Sequence, residues 1–227
     1  MPTFDIVKKN SPQKTYNVAA VMDKFSIEDN NLNEHFKGSL DIEDRDWQIG
    51  VIYGNSGTGK STIAKHLFGN SYFYSNDWGS NSVIDDLPGS ISDITNTLNS
   101  VGFSSPPSWL KPYSVLSGGE KMRVDLAKAL LSSNELIVFD EFTSVVDRNV
   151  ARIGSFALQK SIRRNNKKKF IAVSCHEDII DWLDPDWVFC TNDMSFFLAE
   201  KTPGQKLRYQ SEKSLETIGE VLGNIII

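Results

Sequence analysis

Gly54-Asn55-Ser56-Gly57-Thr58-Gly59-Lys60-Ser61 follows a short apolar run, Gln48 to Tyr53, and opens into a helical pattern from Lys60 to Phe68. A strand that ends in a glycine-rich turn and passes into a helix is the arrangement a phosphate-binding loop requires. Its glycines let backbone N–H groups curl around a β-phosphate, and the positive end of the following helix favours that charge. Lys60 is placed to bridge β- and γ-phosphates, the Ser61 hydroxyl is a candidate Mg²⁺ ligand, and Thr62 completes the candidate nucleotide contacts.

Downstream, Leu136-Ile137-Val138-Phe139 is a continuously apolar run of the kind found in buried parallel strands. It delivers Asp140 and Glu141 at its carboxyl end. Asp140 is a candidate partner for Mg²⁺, and Glu141 is placed to polarise a water attacking a γ-phosphate in line. A helix over 149–163, a strand from Phe170 to Ser174 and then His176 continue the alternation. Alternating strands and helices predict an α/β fold with a mostly parallel sheet flanked by helices, whose ligands bind at the carboxyl ends of the strands.

Between these motifs, Tyr72-Phe73-Tyr74 reads as a strand, and Ile91, Ile94, Leu98 and Val101 fall on one face of a helix from Ser90 to Val101. Pro106, Pro107 and Pro112 predict an extended connector in which Trp109, Leu110 and Tyr113 pack inward. Leu116-Ser117-Gly118-Gly119-Glu120 follows, with Met122, Leu126 and Leu130 marking its helix. Residues 1–47 show no strong helical period, and Phe36 to Ile42 reads as a strand of an N-terminal antiparallel layer. Trp187 to Cys190 and Ser195 to Ala199 look like a closing strand pair. After Pro203-Gly204, a tail over about 203–227 places Leu215, Ile218 and Leu222 on one helical face.

The chain of 227 residues, 40% hydrophobic, is long enough for one domain over 1–227. No apolar run approaches the roughly 20 residues of a membrane-spanning helix. Met1 to Asn10 lacks the apolar core of a secretory signal, so the expectation is a soluble, cytoplasmic protein. Cys175 and Cys190 both read as buried thiols rather than a disulfide or metal site. The net charge of −5 gives no global attraction to nucleic acid or anionic membranes. Lys160, Arg163, Arg164, Lys167, Lys168 and Lys169 form a local basic cluster, read first as a solvated helix end.

With these residues in place, the segment from Leu116 to Glu120, Arg123 three residues on, and Leu126-Ala127-Lys128-Ala129-Leu130 resembles the signature helix of ABC-class ATPases. The resemblance continues through the Walker B run to Glu141, the D-loop-like Ser144-Val145-Val146-Asp147 and the switch histidine His176, and spans roughly residues 38–190. It implies a head-to-tail homodimer with two ATP molecules between subunits. Each would be held by one phosphate loop and the partner's signature residues, Ser117, Gly118, Gly119 and Glu120. His176 would contact the γ-phosphate and support Glu141. An aromatic side chain before the phosphate loop stacks on adenine in this family; Phe25 is preferred over Tyr16. The preference for ATP over GTP rests on the resemblance alone.

Several departures narrow the resemblance. The stretch from Lys60 to Ser117 is shorter than in transporter subunits, so the helical insert over about 75–115 is trimmed. No glutamine occurs from Ser61 to Leu158, so the Q-loop residue that couples nucleotide to a membrane domain is absent. Asp77 is the nearest polar substitute for a magnesium or water contact. Phe142 replaces the proline that commonly follows the Walker B pair. Glu120-Lys121 looks closer to ABC proteins acting on chromosomes and repair substrates. The 102–113 connector and Asp181-Trp182-Leu183-Asp184-Pro185-Asp186-Trp187 resemble a soluble ABC group fused to predicted acetyltransferase domains. The function so implied is an ATP- and Mg²⁺-dependent hydrolase that clamps or switches a macromolecular partner, with nucleic acid the partner to test first, another protein the alternative, and a membrane partner disfavoured. The ATP-binding subunit of a transporter is the alternative reading. A phosphotransferase is a third, disfavoured because kinases need no signature motif.

Overall fold

The computed structural model describes residues 2–9, 12–27, 33–75, 78–164, 167–200 and 208–211. A two-stranded antiparallel layer pairs β1 (Thr3–Lys8) with β2 (Glu34–Ser39). Between them lies α1 (Tyr16–Phe25), a helix the sequence does not predict. It has a Thr15 cap and a left-handed Ser26 at its end, yet none of its residues is buried. Without a buried face there is no apolar stripe for periodicity to detect.

The main sheet has the order β4-β5-β6-β3-β7-β8-β9. Its parallel part comprises β3 (Ile49–Tyr53), β4 (Tyr72–Phe73), β5 (Leu136–Phe139), β6 (Lys169–Ser174) and β7 (Trp187–Cys190). Two antiparallel strands, β8 (Ser195–Glu200) and β9 (Arg208–Ser211), extend one edge. β9 stands where the sequence reading places the start of a helical tail: backbone pairing along the β8 edge satisfies this segment instead. Leu215, Ile218 and Leu222 lie outside the described residues.

Strand alternation sends apolar side chains to both faces of the sheet. On β6, Phe170 and Ala172 join one core with Phe139, Leu126 and Leu158, while Ile171 and Val173 join the other with Phe36, Ile63 and Phe189. The first core is covered by α4 (Ile91–Ser100), α6 (Gly118–Leu131), α7 (Arg148–Arg164) and α8 (Ile179–Leu183). The second is covered by α2 (Lys60–Phe68) and the β1–β2 layer. Burying both faces accounts for the unbroken apolar runs of the parallel strands.

The stretch between β4 and α6 holds α3 (Val83–Asp86), α4 and α5 (Pro106–Trp109). α5 replaces part of the predicted extended connector, because proline is tolerated in a helix's first turn, where its missing N–H has no partner to lose. Trp109 is buried and donates its indole N–H to the Phe103 carbonyl (2.8 Å). Leu110, expected to pack inward, is 68% exposed, since the turn after α5 carries it outward. Ile91 is likewise exposed, at the first residue of α4, while Ile94, Leu98 and Val101 are buried. Cys190 is buried in β7, but Cys175 is exposed, because β6 stops at Ser174 and Cys175 begins the turn beyond it. No helix among the described residues is long and apolar enough to cross a membrane.

Candidate functional site

The phosphate loop runs from the end of β3 to the start of α2, with Gly57 and Gly59 at positive φ (85° and 87°). A Cβ on Gly59 would lie 2.5 Å from the Phe36 ring, so β2 packs directly beneath the loop and only glycine fits. Asn55, Ser56 and Gly57 are exposed at the tip, whereas Lys60 is 8% exposed and donates to the Asn55 carbonyl (2.7 Å). Thr62 lies in the first turn of α2, half-buried.

The turn after β7 braces this loop. Asn55 N–H donates to Asn192 Oδ1 (2.9 Å), the Thr58 and Thr191 hydroxyls share a hydrogen bond (2.5 Å), and Thr191 N–H donates to the Tyr53 carbonyl (2.8 Å). Sequence reasoning missed Thr191 and Asn192. Their signal is turn chemistry at the carboxyl end of a strand neighbouring β3.

Asp140 follows β5 and faces the first turn of α2. Ser61 Oγ donates to Asp140 Oδ1 (3.1 Å), which also accepts from Glu141 N–H (2.9 Å). The buried Tyr72 hydroxyl donates to Asp140 Oδ2. Burial, and then that carboxylate, push the Tyr72 hydroxyl above the ordinary tyrosine range. A hydroxyl and a carboxylate brought together beside a phosphate loop form a hard-oxygen donor set of the type that suits Mg²⁺. Asp77, the other expected metal contact, lies outside the described residues.

Glu141 and Thr143 adopt left-handed backbone (φ 50° and 67°) around a fully buried Phe142. Such geometry in non-glycine residues persists only where the surroundings impose it. Phe142 N–H donates to the Val173 carbonyl (2.9 Å), and Ser174 Oγ donates to the Phe142 carbonyl (2.9 Å). The aromatic residue thus anchors the turn to β6 and leaves Glu141 exposed, with Ser144 Oγ donating to its Oε2 (2.6 Å). The same Ser174 hydroxyl accepts from His176 N–H (3.1 Å), tying the expected switch histidine to this turn. Arg148 adds a brace through Thr143 Oγ1, Asp178 and the Trp182 ring. Ser174 and Arg148 were not read from sequence.

Ser117 caps α6 in a capping box with Glu120. Ser117 Oγ accepts from Glu120 N–H (3.4 Å), and Glu120 Oε2 accepts from Ser117 N–H (2.9 Å) and Oγ (2.8 Å). These donors hold the Glu120 carboxyl below its ordinary value. Ser117 and Gly118 are exposed. Within the chain, a Cβ at Gly118 would meet the Val145 carbonyl (3.3 Å) and one at Gly119 the Val150 side chain (3.0 Å), so this turn rests on the segment before α7 and on the first turn of α7 itself. Asp147 in that segment caps α7, accepting from Asn149 and Val150 N–H.

Phe25, at the end of α1, is 64% exposed with the Lys24 ammonium 5.7 Å from its ring centroid; Tyr16, at the other end, is 87% exposed. Much of the basic cluster serves the fold. Arg163 pairs with Asp186 (2.7 Å), Lys168 donates to the Ser132 and Asn134 carbonyls, and Lys169 lies over Trp47.

No protein-family model matches the chain. Its architecture matches the ATP-binding cassette MJ0796, in a dimeric post-hydrolysis state bound to ADP and Pi, with a TM-score of 0.55 over 69% of this chain and 87% of that one, at 14% identity. The fold is that of an ATP-binding cassette. In sequence, the chain is 38% identical to the zinc import ATP-binding protein ZnuC of Buchnera aphidicola subsp. Baizongia pistaciae over 82 residues, 36% of this chain and 34% of ZnuC's length. A longer match, 24% identical, covers 80% of this chain and 74% of the energy-coupling factor transporter ATP-binding protein EcfA of Malacoplasma penetrans. The candidate phosphate loop, the Asp140-Glu141 pair and the His176 turn all sit at the carboxyl ends of adjacent strands β3, β5 and β6.

Proposed function

We propose that the chain is an Mg²⁺-dependent ATP hydrolase that acts as a head-to-tail homodimer and uses the ATP cycle to switch a macromolecular partner. The observation that carries this reading is the meeting of Ser61 with Asp140, beside buried Lys60 and one residue before exposed Glu141. In this reading the backbone N–H groups from Asn55 to Ser61 surround the β-phosphate, and Lys60 turns from the Asn55 carbonyl toward the β- and γ-phosphates. Mg²⁺, held by Ser61 and Asp140, would neutralise charge on the phosphate oxygens. Glu141 accepts a proton from the attacking water, with Ser144 orienting its carboxylate, and His176 contacts the γ-phosphate from the turn that Ser174 holds. Exposed Ser117 and Gly118 supply a second set of donors to the nucleotide of the partner copy.

The likeness to ZnuC and EcfA favours a second reading, the ATP-binding subunit of a transporter. Nucleic acid as partner loses support from the roles of Arg163, Lys168 and Lys169 in the fold. The segment that resembles the acetyltransferase-fused group also has a local role: Asp186 accepts from Gln48 and Ile49 N–H at the start of β3. The deciding experiment measures ATP hydrolysis by wild type and Glu141→Gln, alone and with DNA, RNA or membranes. Hydrolysis lost in the variant supports the reading, and stimulation by one addition names the partner class. No hydrolysis by wild type under any condition contradicts it.

A further inference from the structure

Tyr72 opens the edge strand β4, and its ring is buried on the α2 side of the sheet. Its register partner is Val138, so the side chain runs beside β5 and its hydroxyl reaches the residue just beyond that strand, donating to Asp140 Oδ2. From α2, the Lys65 ammonium stands 5.0 Å from the centre of the Tyr72 ring and steadies it from the other side. Asp140 Oδ1 faces Ser61 Oγ (3.1 Å) and Glu141 N–H (2.9 Å). The terminal torsion of an aspartate is broad when nothing holds it. Here donors on both oxygens fix the carboxylate plane, Ser61 and Glu141 N–H on Oδ1 and Tyr72 on Oδ2. Packing alone does not require the hydroxyl, since phenylalanine fills the same space in the cluster around Ile63 and Val138.

We propose that Tyr72 is a positioning residue for Asp140, and that its hydroxyl sets how strongly Mg²⁺ supports nucleotide binding. The proposal rests on the reading of Ser61 and Asp140 as the Mg²⁺-holding pair. In this role Tyr72 acts on the metal through Asp140. Groups that orient a metal-holding carboxylate change metal affinity by roughly 10–100-fold when removed.

The test is the affinity for a non-hydrolysable ATP analogue, measured by calorimetry in Mg²⁺ and again in EDTA. Tyr72→Phe is expected to keep the EDTA affinity and to reduce the gain from Mg²⁺ about tenfold. Tyr74→Phe, a neighbouring tyrosine without this contact to Asp140, is expected to keep the full gain. Asp140→Asn is expected to remove most of the gain, and adding Tyr72→Phe to it to cause no further loss. Should Tyr72→Phe lower the melting temperature, the cycle still decides, because a packing defect acts equally in both Asp140 backgrounds. An unchanged Mg²⁺ gain in Tyr72→Phe, or the same tenfold loss in the Asp140→Asn background, overturns the proposal. Wild type that binds the analogue neither with nor without Mg²⁺ overturns the nucleotide reading beneath it.

Discussion

Ser61 Oγ and Asp140 Oδ1 meet at 3.1 Å across 79 residues of sequence, joining the first turn of α2 to the end of β5. Their contact places the end of the phosphate loop beside the acidic pair, with Lys60 one residue away. Lys60→Ala is predicted to weaken ATP binding at least about tenfold, the scale of losing charge-assisted hydrogen bonds to phosphate. Equilibrium binding by fluorescence or calorimetry checks it, and an unchanged affinity contradicts the phosphate-loop assignment.

Gly59→Ala tests the packing under the loop. Gly59 has φ 87° and a would-be Cβ 2.5 Å from Phe36, so alanine meets both backbone strain and a ring. A loss of about 2–4 kcal/mol is expected in urea unfolding. Phe36→Leu in the same background is expected to return only part of it, because the left-handed backbone remains.

The capping box at Ser117 makes a pH-dependent contribution. Ser117 N–H and Oγ hold the Glu120 carboxyl below its ordinary 4.5. A carboxyl depressed in the folded state contributes stability that is fully present above the unfolded value and is lost as pH falls through the folded one. Glu120→Gln is therefore predicted to cost a little stability at neutral pH, no more than about 0.5 kcal/mol because solvent screens this accessible carboxylate and Gln can keep part of the box. The gap to wild type should close as pH drops below 4.5. Urea midpoints across that range decide it; a gap that does not change with pH removes the carboxylate from the cap.

Asp186 accepts from Gln48 and Ile49 N–H and pairs with Arg163, tying α7 and the β7 entrance to the start of β3. Asp186→Asn is predicted to destabilise by about 2–3 kcal/mol, because it weakens a largely buried pair while leaving Arg163 charged. Lys160→Ala, in the same basic cluster but exposed, should stay within about 0.5 kcal/mol. Equal losses in the two variants, read from thermal unfolding, contradict this division of the cluster.

Where physics is local, the sequence was legible. β3, α2, β5 and α6 are legible from short apolar runs, a glycine-rich turn and the helical spacing of Met122, Leu126 and Leu130. The exposed helix α1 left no period to read, because nothing on it is buried. Long-range partners were invisible for a different reason: Asn192 meets Asn55, and Tyr72 meets Asp140, only after the sheet sets its strand order. Phe142 stands out in the sequence only as a departure from the pattern the chain resembles, while its work as the buried anchor between Glu141 and β6 depends on the fold.

The central claim is that two copies complete each nucleotide site, one lending Ser117 and Gly118 to the phosphate loop of the other. Light scattering of Glu141→Gln with ATP and Mg²⁺ tests it most directly. The account predicts a dimer that dissociates when ATP is removed, and that fails to form when Ser117→Arg is added. A Glu141→Gln protein that binds ATP yet stays monomeric contradicts it.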